Sequence, residues 1–253
     1  MSYQPAFERQ TAEMERVLAA RASGKAAPGT LLFVEHPPVI TVSRRPDAAR
    51  HILASREQLA SQGVEIAETD RGGDITYHGP GQLVVYPILD LNLLNLGLHA
   101  YMRLLEDVVI DVCDVFGVTA EREAGATGVW VPQPADAKPA KICAMGVRVR
   151  RWVSMHGLAL NVTTNLEHFA LIVPCGLVGR RVTSLQRELG AACPSMHEVK
   201  NAMSLVFTQR VGAAFTAAAA SRAEYGDTSK PRPASEYAWP DEGPTWNDIP
   251  IVS

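Results

Sequence analysis

Three signatures of nucleotide and hydrolase chemistry are missing from this sequence. It has no G-x-x-x-x-G-K-[ST] loop, no G-x-G-x-x-G opening a helix and no G-x-S-x-G elbow. The familiar phosphate-cradling loops and the serine-hydrolase turn are therefore excluded in their usual form. The four cysteines, at 113, 143, 175 and 193, make no C-x-x-C pair and have no histidines at finger spacing. No metal site is expected, and free thiols point to a reducing cytoplasm. No apolar run approaches a membrane span. Glu8, Arg9, Glu13, Glu15 and Arg16 interrupt the first twenty residues, so no signal peptide is expected. An excess of one charge is lacking too: the net charge is −3, which argues against wholesale binding of nucleic acid. With 253 residues, the chain is long enough to bury a sizeable core as one large domain or two small ones.

What the sequence does have is a dense polar and glycine-rich stretch from Arg71 to Gln82, RGGDITYHGPGQ, followed by the aliphatic run LVVYPILDL. The run reads as a buried strand. Glycines at this density let backbone approach a ligand closely, and Gly79-Pro80-Gly81 is a turn signal. A plain connector has no need of Arg71, Thr76 and His78 between its glycines, so the stretch reads as the wall of a binding site.

Along the rest of the chain, residues 7–22 fit an amphipathic helix with Phe7, Met14, Val17 and Leu18 on one side. Leu31 to Glu35 reads as a strand ended by His36-Pro37-Pro38, with Val39 to Val42 as its resumption. Residues 55–62 suit a helix closed by Gly63, and Val64 to Glu68 a strand. Residues 98–116 give the clearest helix, on Tyr101, Leu105, Val108, Val112 and Val115, ended by Gly117. Strands are expected at Thr127 to Val131, Ile142 to Val149 and Gly157 to Thr163, with a surface loop at PQPADAKP. Ser195 and Glu198 are spaced as a capping box for a helix reaching about Ala220. Strands outnumber helices without strict alternation, which favours an α+β or mixed-sheet fold over a doubly wound parallel sheet. The single domain is expected to span 1–222. Residues 223–253, rich in Pro, Ser, Gly and charge, read as a disordered tail, with Trp239 and Trp246 as possible anchors.

Two residues are candidates for chemistry. Cys175 sits in Val173-Pro174-Cys175-Gly176-Leu177, where Gly176 leaves a backbone N–H open as half of an oxyanion hole. The alternative is a small, inert hydrophobe, which most cysteines are. Lys141 enters an otherwise apolar strand in AKICAMG. It is either a solvated edge charge or, facing Cys175, an ammonium that favours the thiolate and lowers the thiol pKa from its usual value of about 8.5. His78 and His156 flank glycine-rich segments and suit either substrate contact or structural hydrogen bonding.

RGGDITYHGPGQ, TGVWV, AKICAMGV, HGLALNV and PCGLVGRRVTSL stand in an order and spacing that resemble the octanoyl-[acyl-carrier-protein]:protein octanoyltransferases of lipoate biosynthesis, from about Leu31 to Leu189. That family is similar in fold to biotin and lipoate protein ligase catalytic domains, which implies an α+β fold with a mixed, largely antiparallel sheet flanked by helices. The resemblance implies that Cys175 carries the acyl group as a thioester and that Lys141 lowers its pKa. It implies an acyl site lined by Arg71, Gly72, Gly73, Asp74, Ile75, Thr76, Tyr77 and His78, by Ala144, Met145 and Gly146, and by Gly157, Leu158 and Ala159. Octanoyl-acyl carrier protein would be the donor. Lipoyl domains of 2-oxoacid dehydrogenase E2 subunits and the glycine cleavage H protein would be the acceptors, with no cofactor, nucleic acid or membrane. Cys143 and Met145 depart from the family's more usual KIAAIGV, an apolar change expected to reshape the acyl tunnel without abolishing the chemistry. Arg148, Arg150, Arg151, Arg180 and Arg181 are either a docking surface for acidic partner domains or scattered solubilising charge. Two further readings stay open: an ATP-dependent lipoate or biotin ligase, against which the Pro-Cys-Gly setting argues, and a non-catalytic acyl-binding protein with an inert Cys175.

Overall fold

The computed structural model describes residues 1–25, 27, 29–134, 137–173, 180–225 and 248–249. Helix α1 (Tyr3–Ala22) precedes β1 (Gly29–Val34) and β2 (Val39–Ser43). Helix α2 (Arg56–Ser61) leads into β3 (Glu65–Thr69), β4 (Ile75–His78) and β5 (Gln82–Leu89). Then come α3 (Leu98–Val115), β6 (Glu121–Glu123), β7 (Ala126–Val131), β8 (Ala140–Arg150) and β9 (Val153–Asn161). The chain continues through α4 (Leu185–Leu189), α5 (Met196–Tyr225) and the short β10 (Asp248–Ile249).

Among the described residues, the strands form two sheets. The larger has seven strands in the order β1-β5-β9-β8-β7-β6, all antiparallel, with β10 beside β8. The smaller has the order β3-β2-β4 and is mixed: β2 runs parallel to β3 and antiparallel to β4. A parallel pair needs a crossover, and residues 44–64 with α2 supply it. The mixed, largely antiparallel α+β architecture expected from the sequence is therefore observed.

Helices α1, α3 and α5 cover the large sheet. Tyr101, Leu105, Val108 and Val112 of α3 are fully buried there, with Val199, Met203 and Phe207 of α5. The α3 stripe departs from expectation at its end: Val115 is 61 % exposed, and Phe116 packs on the core in its place. A second core, with Ile40, Val42, Ile75 and Tyr77, sits under the small sheet against Phe169 and Ile172.

Three other boundaries differ from the sequence reading. β2 does not resume β1 but joins the other sheet. Pro37 and Pro38 have no N–H for a ladder, so the strand breaks and the chain turns away. Strands β8 and β9 meet at a two-residue turn in which Arg151 and Trp152 have φ of 52° and 61°. This is the positive-φ geometry of a tight hairpin, made without the Asn-Gly pair that would have announced it. Helix α5 runs past Ala220 to Tyr225, and its start carries the expected capping box, with Ser195 N–H donating to Glu198 and Glu198 N–H to Ser195 Oγ. Trp239 and Trp246 lie outside the described residues. Among those described, no helix is long and apolar enough to cross a membrane.

Candidate active site

The glycine-rich stretch carries the chain from the small sheet to the large one and forms a wall where the two meet. Arg71 is buried and reaches back to β2, donating from Nη2 to the Thr41 carbonyl and hydroxyl, both at 3.0 Å. Gly73 has φ +88°, and a Cβ there would lie 3.0 Å from Arg71 Nη1, so a side chain would be strained and would press on the guanidinium. On β4 the two-residue strand period then decides which side chains face where. Thr76 and His78 line a cleft, while Ile75 and Tyr77 enter the small-sheet core. Asp74 turns to His51, 2.8 Å away, and Gly72 accepts from Arg71 through its carbonyl.

Between this wall and the large sheet lies a cleft enclosing about 490 Å³ between atoms, part of it open to solvent. Its floor is apolar: Val84 and Tyr86 from β5, Ala144 and Met145 from β8, Leu158 and Ala159 from β9. Gly146 and Gly157, paired directly across the β8–β9 ladder, also line it, as does Tyr3 from the first turn of α1. Cys143, the other departure in its segment, is instead fully buried in the core, where burial pushes its thiol pKa well up.

Lys141 stands three residues before Ala144 on β8. Its Nζ lies 4.5 Å from the centre of the Trp130 ring, on the adjacent strand β7. Arg180 covers the same ring at 5.0 Å and pairs with Glu123 at 2.9 Å. Gly128 (φ +111°) leaves the room for this arrangement: a Cβ there would meet the Cys143 carbonyl at 2.5 Å and stand 3.6 Å from Lys141 Nζ. Lys141 also receives the chain returning after Arg180. Its N–H donates to the Arg181 carbonyl, and its carbonyl accepts from the Thr183 N–H. Cys175 lies outside the described residues, between Val173, whose N–H is bonded to the His51 carbonyl, and Arg180.

A hydrogen-bond chain ties the wall to the Lys141 strand. His78 Nδ1 donates to Gln82 Oε1 (2.7 Å), Gln82 Nε2 to Asn161 Oδ1 (2.9 Å), and Asn161 Nδ2 to the Thr183 carbonyl (2.9 Å). Burial above all, then the neighbouring His36 ring, pushes the His78 pKa down to about 3, so its imidazole is neutral. His36 is also neutral, its pKa lowered to about 4 by burial. Because the Met1 carbonyl can only accept, His36 Nδ1 carries the proton, and Nε2 accepts from the Tyr86 hydroxyl at 3.2 Å.

At the other end, His156 is fully buried in the left-handed region (φ 62°) and does not reach the cleft. Its N–H donates to Gln10 and its Nε2 to Asp70 (2.9 Å), while burial lowers its pKa to about 4. Burial alone would raise the Asp70 pKa, but bonding to His156 and the charge of Arg148 hold it below the usual carboxylate range.

The structure thus places Arg71, Gly73, Thr76, His78, Ala144, Met145, Gly146, Gly157, Leu158 and Ala159 on one cleft. It places Gly72, Asp74, Ile75 and Tyr77 behind its wall. Tyr3, Val84 and Tyr86 were not anticipated. Alternation along the LVVYPIL strand was signal enough for Val84 and Tyr86, but nothing in the sequence marked Tyr3. Of the five arginines weighed as a docking surface, Arg148 pairs with Asp70 and Arg180 with Glu123, while Arg150, Arg151 and Arg181 are exposed.

The pattern defining the lipoyl protein ligase A/B catalytic domain matches residues 8–208. The chain belongs to that family. Within it, this A/B-type domain is similar to an octanoyltransferase of Bacteroides fragilis, 48 % identical over 78 % of the chain and 88 % of the relative. An octanoyltransferase of Acidobacterium capsulatum is 50 % identical over 71 % of the chain and 76 % of the relative. The resemblance seen in the five motifs is borne out. In fold, the domain is similar to a bipartite lipoate protein ligase of Thermoplasma acidophilum, with a TM-score of 0.61 at 16 % identity, covering 91 % of this chain and 92 % of that one.

Proposed function

We propose that the protein is an acyltransferase that moves an octanoyl group from octanoyl-acyl carrier protein to a lysine of lipoyl domains, through a thioester on Cys175. The observation that carries this reading is an apolar cleft floored by β8 and β9, the first of which bears Lys141 as its second residue. The octanoyltransferase relatives, similar over most of their length, support it. The ends of the segment bearing Cys175 suit it as well: Val173 is anchored beside the wall, and Arg180 shares the Trp130 ring with Lys141.

In the first half-reaction the Cys175 thiolate attacks the donor thioester, a C–S bond forms as another breaks, and the Lys141 ammonium protonates the departing pantetheine thiol. In the second, the neutral amine of the acceptor lysine attacks the acyl-cysteine. A C–N bond forms, Cys175 leaves as thiolate, and Lys141 takes the amine proton. The cycle ends with the ammonium–thiolate pair it began with. Six methylenes at ~0.8 kcal/mol each set the scale of the binding energy the apolar floor can supply, roughly 5 kcal/mol. A reducing cytoplasm keeps the thiol free for this work.

The test is the intact mass of the full chain after mixing with octanoyl-acyl carrier protein without ATP. A covalent octanoyl adduct is expected, lost in Cys175→Ala and reversed by hydroxylamine. No adduct on the natural chain, or an equal one on Cys175→Ala, overturns the reading, and an adduct that required ATP would assign the chain to the ligases.

A further inference from the structure

The cleft has an order along its length, set by strand register. Ala144 pairs with Ala159, Met145 with Leu158 and Gly146 with Gly157, while Lys141 lies on the Ala144 side. The Gly146–Gly157 level is therefore the end remote from Lys141, about 17 Å along β8 at ~3.4 Å per residue. Tyr86 stands at that level, one step past the Val85–Leu158 pair. Tyr3 of α1 is bonded to Thr69, whose chain neighbour Asp70 pairs with His156 and Arg148, one and two residues past that level.

Tyr3 is 5 % exposed and lines the cleft, and its hydroxyl donates to Thr69 Oγ1 at 2.6 Å. Thr69 is not part of the lining, so the phenol oxygen is turned out of the cleft and the ring carbons are left toward it. The ring also lies 5.8 Å from His36, which is itself bonded to Tyr86. Next to Thr69 sit the buried His156 and the half-buried Asp70, bonded to each other, which offer an alkyl chain no apolar continuation.

We propose that Tyr3 is the stop that sets the length of acyl chain the cleft accepts. The proposal rests on reading the cleft as an acyl site. A chain entering from the Lys141 end buries methylenes against Val84, Met145 and Leu158 until it meets the Tyr3 ring. Further carbons must then displace a ring locked by the Thr69 bond or stay in water. Affinity should rise about tenfold with each two methylenes up to the stop and then cease to rise.

The experiment is calorimetric titration of the full chain with hexanoate, octanoate, decanoate and dodecanoate. For the natural chain the gain in affinity should break after eight carbons. Tyr3→Ala should move the break to ten or twelve, tightening decanoate about tenfold relative to octanoate, while Tyr3→Phe, which keeps the ring, should leave the break in place. Tyr3→Leu, smaller but still apolar where α1 packs, should shift the break in the same direction and decides the matter if Tyr3→Ala does not fold. No break in the natural chain, or the same break in Tyr3→Leu, overturns the stop. A natural chain that shows the break yet forms no octanoyl adduct from the carrier protein supports the stop and overturns the transfer reaction instead.

Discussion

The two sheets build opposite sides of one cleft by different means. The large sheet supplies the floor through regular pairing: once β8 and β9 are in register, Ala144, Gly146, Gly157 and Ala159 arrive together with no further interaction needed. The wall is held by individual side-chain bonds, the long-range pairs Arg71 to Thr41 and Tyr3 to Thr69 and the local pair His78 to Gln82. A floor made by register should tolerate apolar change. A wall made by particular donors and acceptors does not, because each lost partner leaves a buried polar group unsatisfied.

The largest effect should come from Lys141, which precedes the floor residues on β8. Lys141→Met keeps most of the apolar stem against Trp130 but removes the proposed proton carrier, and transfer at neutral pH should fall by 10²–10⁴-fold. Raising the pH should restore acyl-enzyme formation, which needs only thiolate, more than it restores turnover. A pH series of Cys175 alkylation and of octanoyl transfer on both proteins checks this, and coinciding alkylation curves would remove Lys141 from the chemistry.

A smaller effect tests the wall. Gly73→Val puts a β-branched residue at φ +88° with its Cβ 3.0 Å from Arg71 Nη1. It should cost roughly 1–2 kcal/mol of stability by strain and at least ~10-fold in transfer by displacing the guanidinium wall. Chemical denaturation alongside steady-state kinetics separates the two, and unchanged kinetics would reduce the stretch to a connector.

The gentlest probe is acid. His36, His78 and His156 have folded-state pKa values of about 4, 3 and 4, below the ~6.5 of an unfolded imidazole. Above the unfolded value neither state binds the proton, so the native structure loses nothing there. As pH falls from ~6.5 toward about 4 the unfolded chain takes up protons that the native chain refuses, and stability declines. Unfolding at pH 5 should bind about two to three protons at these sites, and His36→Gln should lower that uptake by about one. Denaturation midpoints between pH 7 and 4.5 measure the slope, and an unaltered slope in His36→Gln would contradict the burial that keeps this ring neutral.

The same contrast explains how much could be read from the sequence. The floor was legible because hydrophobic runs and helical spacing carry it: β5, β8, β9 and the stripe of α3 all stand where their patterns put them, within a few residues. The wall's glycines and polar residues announced a site but not its geometry. That Thr76 and His78 face the cleft while Ile75 and Tyr77 turn away follows from strand period only once β4 is known to be a strand. Tyr3 was invisible because its role depends on Thr69, far away in the chain, and the Arg151-Trp152 turn because positive φ there has no glycine to betray it. Val115 misled because a helical stripe does not say where the surface beneath it ends.

Trp130 has one more consequence. Its indole is buried, its Nε1 has no hydrogen-bond partner, and the Lys141 and Arg180 side chains rest on its ring. The emission of an indole shifts with the electric field across it, and a cation 4.5 Å from the ring centre is a large part of that field. If Lys141 gives up and regains its proton as proposed, the emission of the chromophore beside it should shift with each transfer. The indole would then serve as an optical gauge of the proposed cycle, readable in a stopped-flow fluorimeter without any label.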